Sequence, residues 1–310
     1  VTATDTRPAP ASAPARALLS AACRTPWGGA AAGLPGAAPV ELPRVTGFVT
    51  SRFSPLVHSV ATECLGAPGS ADDLIGPAGP RTGTVLATMF GDTVTLDTAT
   101  RRLTEGQVHS PLLFFQSVTT SILGRLGQSY GITGPVECLS VARDGAGEAL
   151  AAADLMLDQD DVDQVLLVAV ELAANERATW IHRRTTGPDG PDPLPDGDCA
   201  VALLLTRTPA PQGARGTARQ ATTHPPTDRT PRALLRSGAT GPTDPAAGDT
   251  RFGWLAPLVA ACETVRPPAG TPARPVHVPG RYGYVVAPPE QAAPPTAGGP
   301  VAPDASGSPA

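Results

Sequence analysis

"GPVECLSVARDGAGEALAAADLMLDQDDVDQVLLVAVELA", residues 134–173, decides the fold class. It opens with a short apolar run, "VECLSVA", which reads as a buried strand. "DGAGEALAAADLMLDQDD" comes next with helical spacing, placing Ala146, Ala149, Leu150, Ala153 and Leu157 on one side. "VDQVLLVAVELA" then gives a β-branched apolar run of the kind that forms a strand buried on both faces. Strand, helix and strand in that order predict an α/β fold with a sheet that is at least partly parallel. The turn between the first strand and the helix holds Arg143 and Asp144. In several enzyme folds a turn of this kind carries the nucleophile, so an arginine there needs an explanation.

The same alternation extends outward in both directions. "VTGFVTSRFSPLVHSVATECLG" has apolar positions at helical spacing in its second half and ends at Gly66. "TGTVLATMFGD" reads as a continuous apolar strand. "DTVTLDTATRRLTEG" reads as a helix, and "LLFFQSVTTSILGRLGQSYG" as one long helix with Phe115, Val118, Ile122 and Leu126 along an apolar face. Gly124 and Gly127 inside that helix point to close backbone packing. The turn "ITGP" ends it. Beyond residue 173 comes a polar loop containing "RRTTGPDGPDPLPDGD", and then the buried strand "CAVALLLTR". "RFGWLAPLVAACETV" returns to helical period, and "RPVHVPGRYGYVVAPP" supplies one or two strands. Three segments rich in Pro, Ala, Thr and Gly stand outside this pattern. Residues 1–38 are expected to form a low-complexity arm, 207–250 a Pro-rich loop and 287–310 a disordered tail, around a domain spanning 39–286.

Composition removes several functional classes. The chain has 310 residues, 37 of them proline and 33 glycine, with 41% hydrophobic residues and a formal net charge of −5. All 23 basic residues are arginine, and no basic stripe interleaves with aromatics, so nothing points to nucleic acid. No apolar run approaches the ~20 residues needed to span a bilayer. "ARALLSAAC" is too short for a secretion-signal core and comes after a Pro-rich stretch. The expectation is a cytoplasmic, soluble protein without membrane contact. The five cysteines, Cys23, Cys64, Cys138, Cys199 and Cys262, are odd in number and widely spaced. They show neither zinc-ligand spacing nor a disulfide framework, and each reads as a small buried hydrophobe. His109, before Ser110-Pro111, could be proposed as a base but reads more simply as a helix-start residue. Ser117, Thr119, Thr120 and Ser121 have no hydrolase motif around them.

"SPLLFFQSVTTSILGRLGQSYGITGP" resembles the dimer-interface helix of β-ketoacyl synthases, including its closing Gly-x-x-Gly-Pro turn. "DQVLLVAVELA", "DGDCAVALLLTR" and "PGRYGYVV" are similar to three further family strands. The resemblance covers roughly residues 42–207 and, weakly, 250–286. It implies a thiolase-like fold, a layered α/β/α sandwich, with a reduced second half. Counted without gaps from Gly134-Pro135, the family's nucleophilic cysteine falls on Arg143. A guanidinium stays protonated and cannot attack a thioester, so Arg143 is expected to be paired, with Asp144, Glu137 or Glu148. The lysine and two histidines that the family uses in its second half also have no counterpart. There is no lysine, and His224 and His277 lie in Pro-rich surroundings without the family's motifs.

A kept scaffold without its nucleophile resembles the chain-length factor, the non-catalytic ketosynthase paralogue of type II polyketide systems, here of the short, polyene-type kind. The resemblance implies a heterodimer with an active ketosynthase and, through it, an acyl carrier protein as partner. It implies no cofactor and no metal. The interface would comprise the Phe115–Leu126 helix and the strand "VECLSVA" paired across a pseudo-twofold axis. Phe115, Val118, Thr119, Ile122 and Leu126 would line the interface or the end of the acyl tunnel. Two alternatives stand beside this reading. One is an active condensing or acyl-transfer enzyme using Cys138, although alternation along a buried strand would make Cys138 a core residue. The other is a homodimeric scaffold with no polyketide role.

Overall fold

The computed structural model describes residues 15–25, 41–107, 110–186, 192–208, 230–237, 250–281 and 283–289. The chain starts with strand β1 (Arg16–Arg24) and helix α1 (Phe53–Leu65), then β2 (Thr82–Thr88), α2 (Thr93–Thr104), α3 (Pro111–Ser117) and α4 (Ser121–Tyr130). Next come β3 (Val136–Ser140), α5 (Gly145–Leu157), β4 (Gln164–Glu171), α6 (Glu176–Thr186) and β5 (Cys199–Arg207). Strand β6 (Ala233–Ser237), helix α7 (Ala256–Val265) and strands β7 (Val276–Val278) and β8 (Tyr284–Ala287) complete it.

These eight strands form one sheet, in the order β3-β2-β4-β5-β1-β6-β8-β7. Strands β3, β2 and β4 are parallel, and β5 runs antiparallel between β4 and β1. The unbroken apolar runs of β2, β4 and β5 result from burial on both faces. Along β4, Val165, Leu167 and Ala169 pack under α5 and α7, while Leu166, Val168 and Val170 pack under α1 and α4. The result is the expected three-layered α/β/α arrangement. In β1 the alternation slips once: Leu18 and Ala21 share one face, and a bulge between Leu18 and Ser20 accounts for the odd spacing. Beyond β5, the described residues supply one α-helix and three short strands, and these strands extend the same sheet past β1.

Two glycines explain the turn that ends α4. Gly131 caps the helix in the left-handed region at φ 68°, where a side chain is strained. A Cβ on Gly134 would lie 2.3 Å from the Thr82 carbonyl oxygen, so only glycine lets β3 start flush against β2.

Several expectations need correction. The low-complexity arm expected over 1–38 contains β1, an interior strand. It is anchored by Arg16, whose guanidinium meets Asp154 and Asp158 at 2.5 Å each. The Pro-rich segment 207–250 contains β6, which pairs with β1, and the polar stretch after β4 contains α6. The long helix is two helices. Val118 is extended at ψ 107°, and the Ser121 hydroxyl donates to the Phe115 carbonyl at 2.7 Å. Three consecutive β-branched residues, Val118, Thr119 and Thr120, together with that captured carbonyl, favour the break. Gly124 faces open space, and a Cβ on Gly127 would approach only the chain's own Ile132 carbonyl.

Candidate functional site

The carboxyl ends of β2, β3 and β4 point the same way, and the β3–α5 turn lies at that edge, where open α/β sheets build their sites. Val141 continues the ladder by donating to the Thr88 carbonyl at 3.0 Å. The chain then turns through Ala142, Arg143 and Asp144 into α5. Asp144 has φ 52°, and among the described residues it is the one non-glycine with positive φ. The tight elbow is therefore present, with its left-handed residue one position after the counted nucleophile.

Carboxylates occupy the donors around that elbow. The Gly145 N–H points at Asp192 Oδ2 at 3.3 Å, and the Ala142 N–H at Glu148 Oε2 at 3.3 Å. A helix N-terminus attracts anions, and here the chain's own acids fill it. Burial pushes the Asp192 carboxyl above its usual range, against the pull of the Gly145 and Asp144 N–H groups. His182 on α6 contacts the Asp192 carbonyl oxygen through Nε2 at 2.8 Å and stands edge-on to Phe90. Arg143 is exposed, and no ion pair joins it to any described residue, contrary to the expected pairing with Asp144, Glu137 or Glu148.

Below the elbow is a buried polar knot. Glu171, the last residue of β4, accepts from the Met89 N–H at 2.7 Å, the Thr88 hydroxyl at 3.3 Å and the Trp254 indole N–H at 3.3 Å. Burial outweighs these donors and lifts its pKa to about 7. Trp254 also packs on α5, since a Cβ on Gly145 would come within 2.9 Å of its ring. A Cβ on Gly147 would come within 2.9 Å of the Pro279 carbonyl oxygen. Glu171, His182, Asp192 and Trp254 were not apparent as a group in the sequence, because they come from four separate segments.

Strand β3 is an edge strand, not a buried one, and its residues are mostly exposed. Cys138 is consequently exposed rather than in the core. Partial desolvation still pushes its thiol up, which lowers the thiolate fraction, and no histidine contacts it among the described residues. Cys64, Cys199 and Cys262 are buried and Cys23 is half-buried. The described residues contain no cluster suited to a metal ion, and none of their helices is long and apolar enough to cross a membrane. His109 and His224 lie outside the described residues. His277 lies on β7, the strand farthest from β3.

The expected apolar face divides between two environments. Ile122 and Leu126 are fully buried in the chain's own core beneath α1, so they cannot face a partner or a tunnel. Phe115 is 46% exposed and packs on Phe48 with ring centroids 5.4 Å apart. Val118 is exposed, and the Thr119 hydroxyl abuts Gly91. Leu96 and Leu103 of α2, Leu112 and Phe114 of α3, and Val136 of β3 are exposed as well.

No protein-family model matches the chain, and no curated protein matches its sequence. Its structure is similar to one of a ketosynthase (ApeO) in complex with its chain length factor (ApeC) from Xenorhabdus doucetiae. The TM-score is 0.53 at 14% identity, over 88% of this chain and 98% of that one. It is also similar to the ishigamide ketosynthase/chain length factor, with TM-score 0.51 and 16% identity over 74% and 69% of the two chains. The fold is thiolase-like, that of the ketosynthases.

Proposed function

We propose that this chain is a non-catalytic chain-length-factor subunit. It pairs with an active ketosynthase, shapes that enzyme's acyl tunnel during polyketide elongation, and meets an acyl carrier protein through the complex. The observation that carries the reading is an intact elbow with no thiol, flanked by an open strand edge and exposed apolar helices. Condensation needs a thiolate where Arg143 stands, and the donors that would stabilise it are engaged by Asp192 and Glu148. The edge of β3 that no described strand pairs and the apolar surface of α2 and α3 then become the working part of the molecule. Edge strands of this kind associate readily, and the exposed backbone at Gly124 on α4 leaves room for close approach. Phe115, Val118 and Thr119 are the residues assigned to the tunnel end.

Size-exclusion chromatography with light scattering after co-expression with a ketosynthase tests the pairing. A 1:1 complex is expected, burying more than about 2,000 Å². A monomer unchanged by the partner would refute it. In the reconstituted pair, alanine at Phe115, Val118 or Thr119 is expected to lengthen the product by one or more two-carbon units, read by mass spectrometry. Unchanged length in pairs that still assemble would remove the tunnel role. An acyl adduct on Cys138 after incubation with a carrier thioester would support the rival enzymatic reading.

A further inference from the structure

Three cysteines that are far apart in the sequence meet on one face of the sheet. Cys23 is next to last in β1, and Cys199 is the first residue of β5. The β1–β5 register sets Cys23 opposite Val201. Cys199 is therefore its diagonal neighbour, with the side chain on the same face. Cys262 of α7 lies over the pair and donates its S–H to the Ala22 carbonyl at 3.5 Å. All three thiols are free. Cys199 and Cys262 belong to the core layer shared with α5, and Cys23 packs against it. Hydrogen bonding to the Cys23 thiol, and then burial, push the Cys199 thiol well above its usual range. Burial, and then the Cys23 thiol, do the same to Cys262. Cys23 thus neighbours both, and of the three it alone is half-buried rather than buried. Among the described residues no such group suits a metal ion.

We propose that Cys23 and Cys199 form a reversible disulfide that clamps β1 to β5 when the chain meets a peroxide. The proposal does not depend on a ketosynthase partner. Cys23 is the thiol a small oxidant reaches, and its thiolate attacks one peroxide oxygen. An S–O bond forms, the O–O bond breaks, and the departing oxygen takes up a proton and leaves as water. The Cys199 thiolate then attacks the Cys23 sulfur. The S–S bond forms, the S–O bond breaks, and a second water leaves. Together the two thiols lose two electrons, and the peroxide gains them. Cys199 is the resolving residue because its thiol meets that of Cys23, whereas the Cys262 S–H is turned to a backbone carbonyl. Diagonal neighbours lie about 7–8 Å apart at Cα, against an upper limit of about 6.8 Å for a disulfide. The bond therefore draws two strand ends together, and a bond made across such a gap is readily reduced again. Cys199 stands opposite Glu171 in the β4–β5 register, so the clamp closes beside the carboxyl that holds Trp254.

The test is thiol mapping of the full chain carrying Cys138→Ser, which removes the exposed cysteine. The protein is treated with a small excess of hydrogen peroxide, alkylated in denaturant and digested for mass spectrometry. Of the four cysteines that remain, two are expected to stay free, with the Cys23 and Cys199 peptides joined. Dithiothreitol should release them again. The bond closes a long loop, so the oxidised chain should melt about 5 °C or more higher. That rise should vanish in Cys23→Ser and persist in Cys262→Ser. The mapping is done without either change, so it stands if one of these variants misfolds. Four free thiols after peroxide, Cys23 joined to Cys262, or Cys23 carried to a sulfinic acid without a bond would each overturn the proposal. A bond with no rise in melting temperature would overturn the clamp.

Discussion

Phe115 and Ile122 looked equivalent along one helical face, and the break between α3 and α4 gives them opposite roles. Ile122 is fully buried beneath α1, so Ile122→Ala leaves a cavity and should cost the isolated chain about 2–5 kcal/mol of stability. Phe115 retains 46% of its surface. A phenylalanine buries about 200 Å² when covered, so roughly 90 Å² remains for a partner to cover. At ~25 cal/mol per Å² that is about 2 kcal/mol, or roughly 30-fold in the dissociation constant. Phe115→Ala should therefore weaken the heterodimer by up to about that factor, the full amount where the ring packs on the partner and less where it walls the tunnel and the product lengthens instead. It should cost the isolated fold less than Ile122→Ala, because its own-chain contact is the partial one with Phe48. Urea melts of the single chain and surface plasmon resonance against the ketosynthase measure the two quantities. The reasoning fails if Phe115→Ala leaves affinity unchanged, or if Ile122→Ala weakens the pair without any loss of stability.

Arg143→Cys should not restore condensation, because Asp192 and Glu148 hold the neighbouring donors; product formation by the variant, seen by mass spectrometry, would contradict this. Glu171 is raised to about 7 from 4.5, so the native state binds the extra proton. Its contribution is present below pH 4.5 and is lost as pH rises to about 7, a decline of up to about 3 kcal/mol. Urea melts at pH 5 and pH 8 should show that decline in the wild type and a flatter profile in Glu171→Gln; equal slopes would sink the assignment. Arg16→Ala removes the ion pairs with Asp154 and Asp158, which are 20% and 62% exposed, and should cost about 1–2 kcal/mol, a loss that a dispensable N-terminal arm would not show in the same melts.

The readable parts of the sequence were those whose signal is local. Strands β2, β4 and β5 announce themselves because two-sided burial makes each an unbroken apolar run, and α5 because its small apolar residues recur at helical spacing. The Gly-x-x-Gly-Pro turn was also legible, since Gly131 and Gly134 each meet a backbone demand on the spot. Strand β1 was missed because its partners, β5 and β6, lie far along the chain and its neighbours are Pro- and Ala-rich. Helix α6 was missed because it is polar overall, with Ala178 its one buried residue, and it runs into a Gly/Pro/Asp-rich stretch that reads as loop. The position of Arg143 could be counted from the turn. Asp192, Glu171 and Trp254 could not, because nothing in their own segments shows that they converge beneath α5.

That convergence shows how the shape of the elbow is held without a thiol. A helix N-terminus at a sheet edge presents N–H groups that must find acceptors. In a condensing enzyme a thiolate or an acyl oxygen can serve. Here Glu148 accepts from the Ala142 N–H and Asp192 from the Gly145 N–H, so two of these donors are engaged without a thiol. Packing preserves the turn's shape independently: side chains at 145 or 147 would collide with Trp254 or with the Pro279 carbonyl. Geometry and reactivity are thus held by different residues, and one can be lost without the other. The elbow also has a mechanical role: Asp192 accepts from the Gly145 N–H at the start of α5 and meets His182 of α6 through its carbonyl oxygen, which fixes α6 relative to the sheet edge.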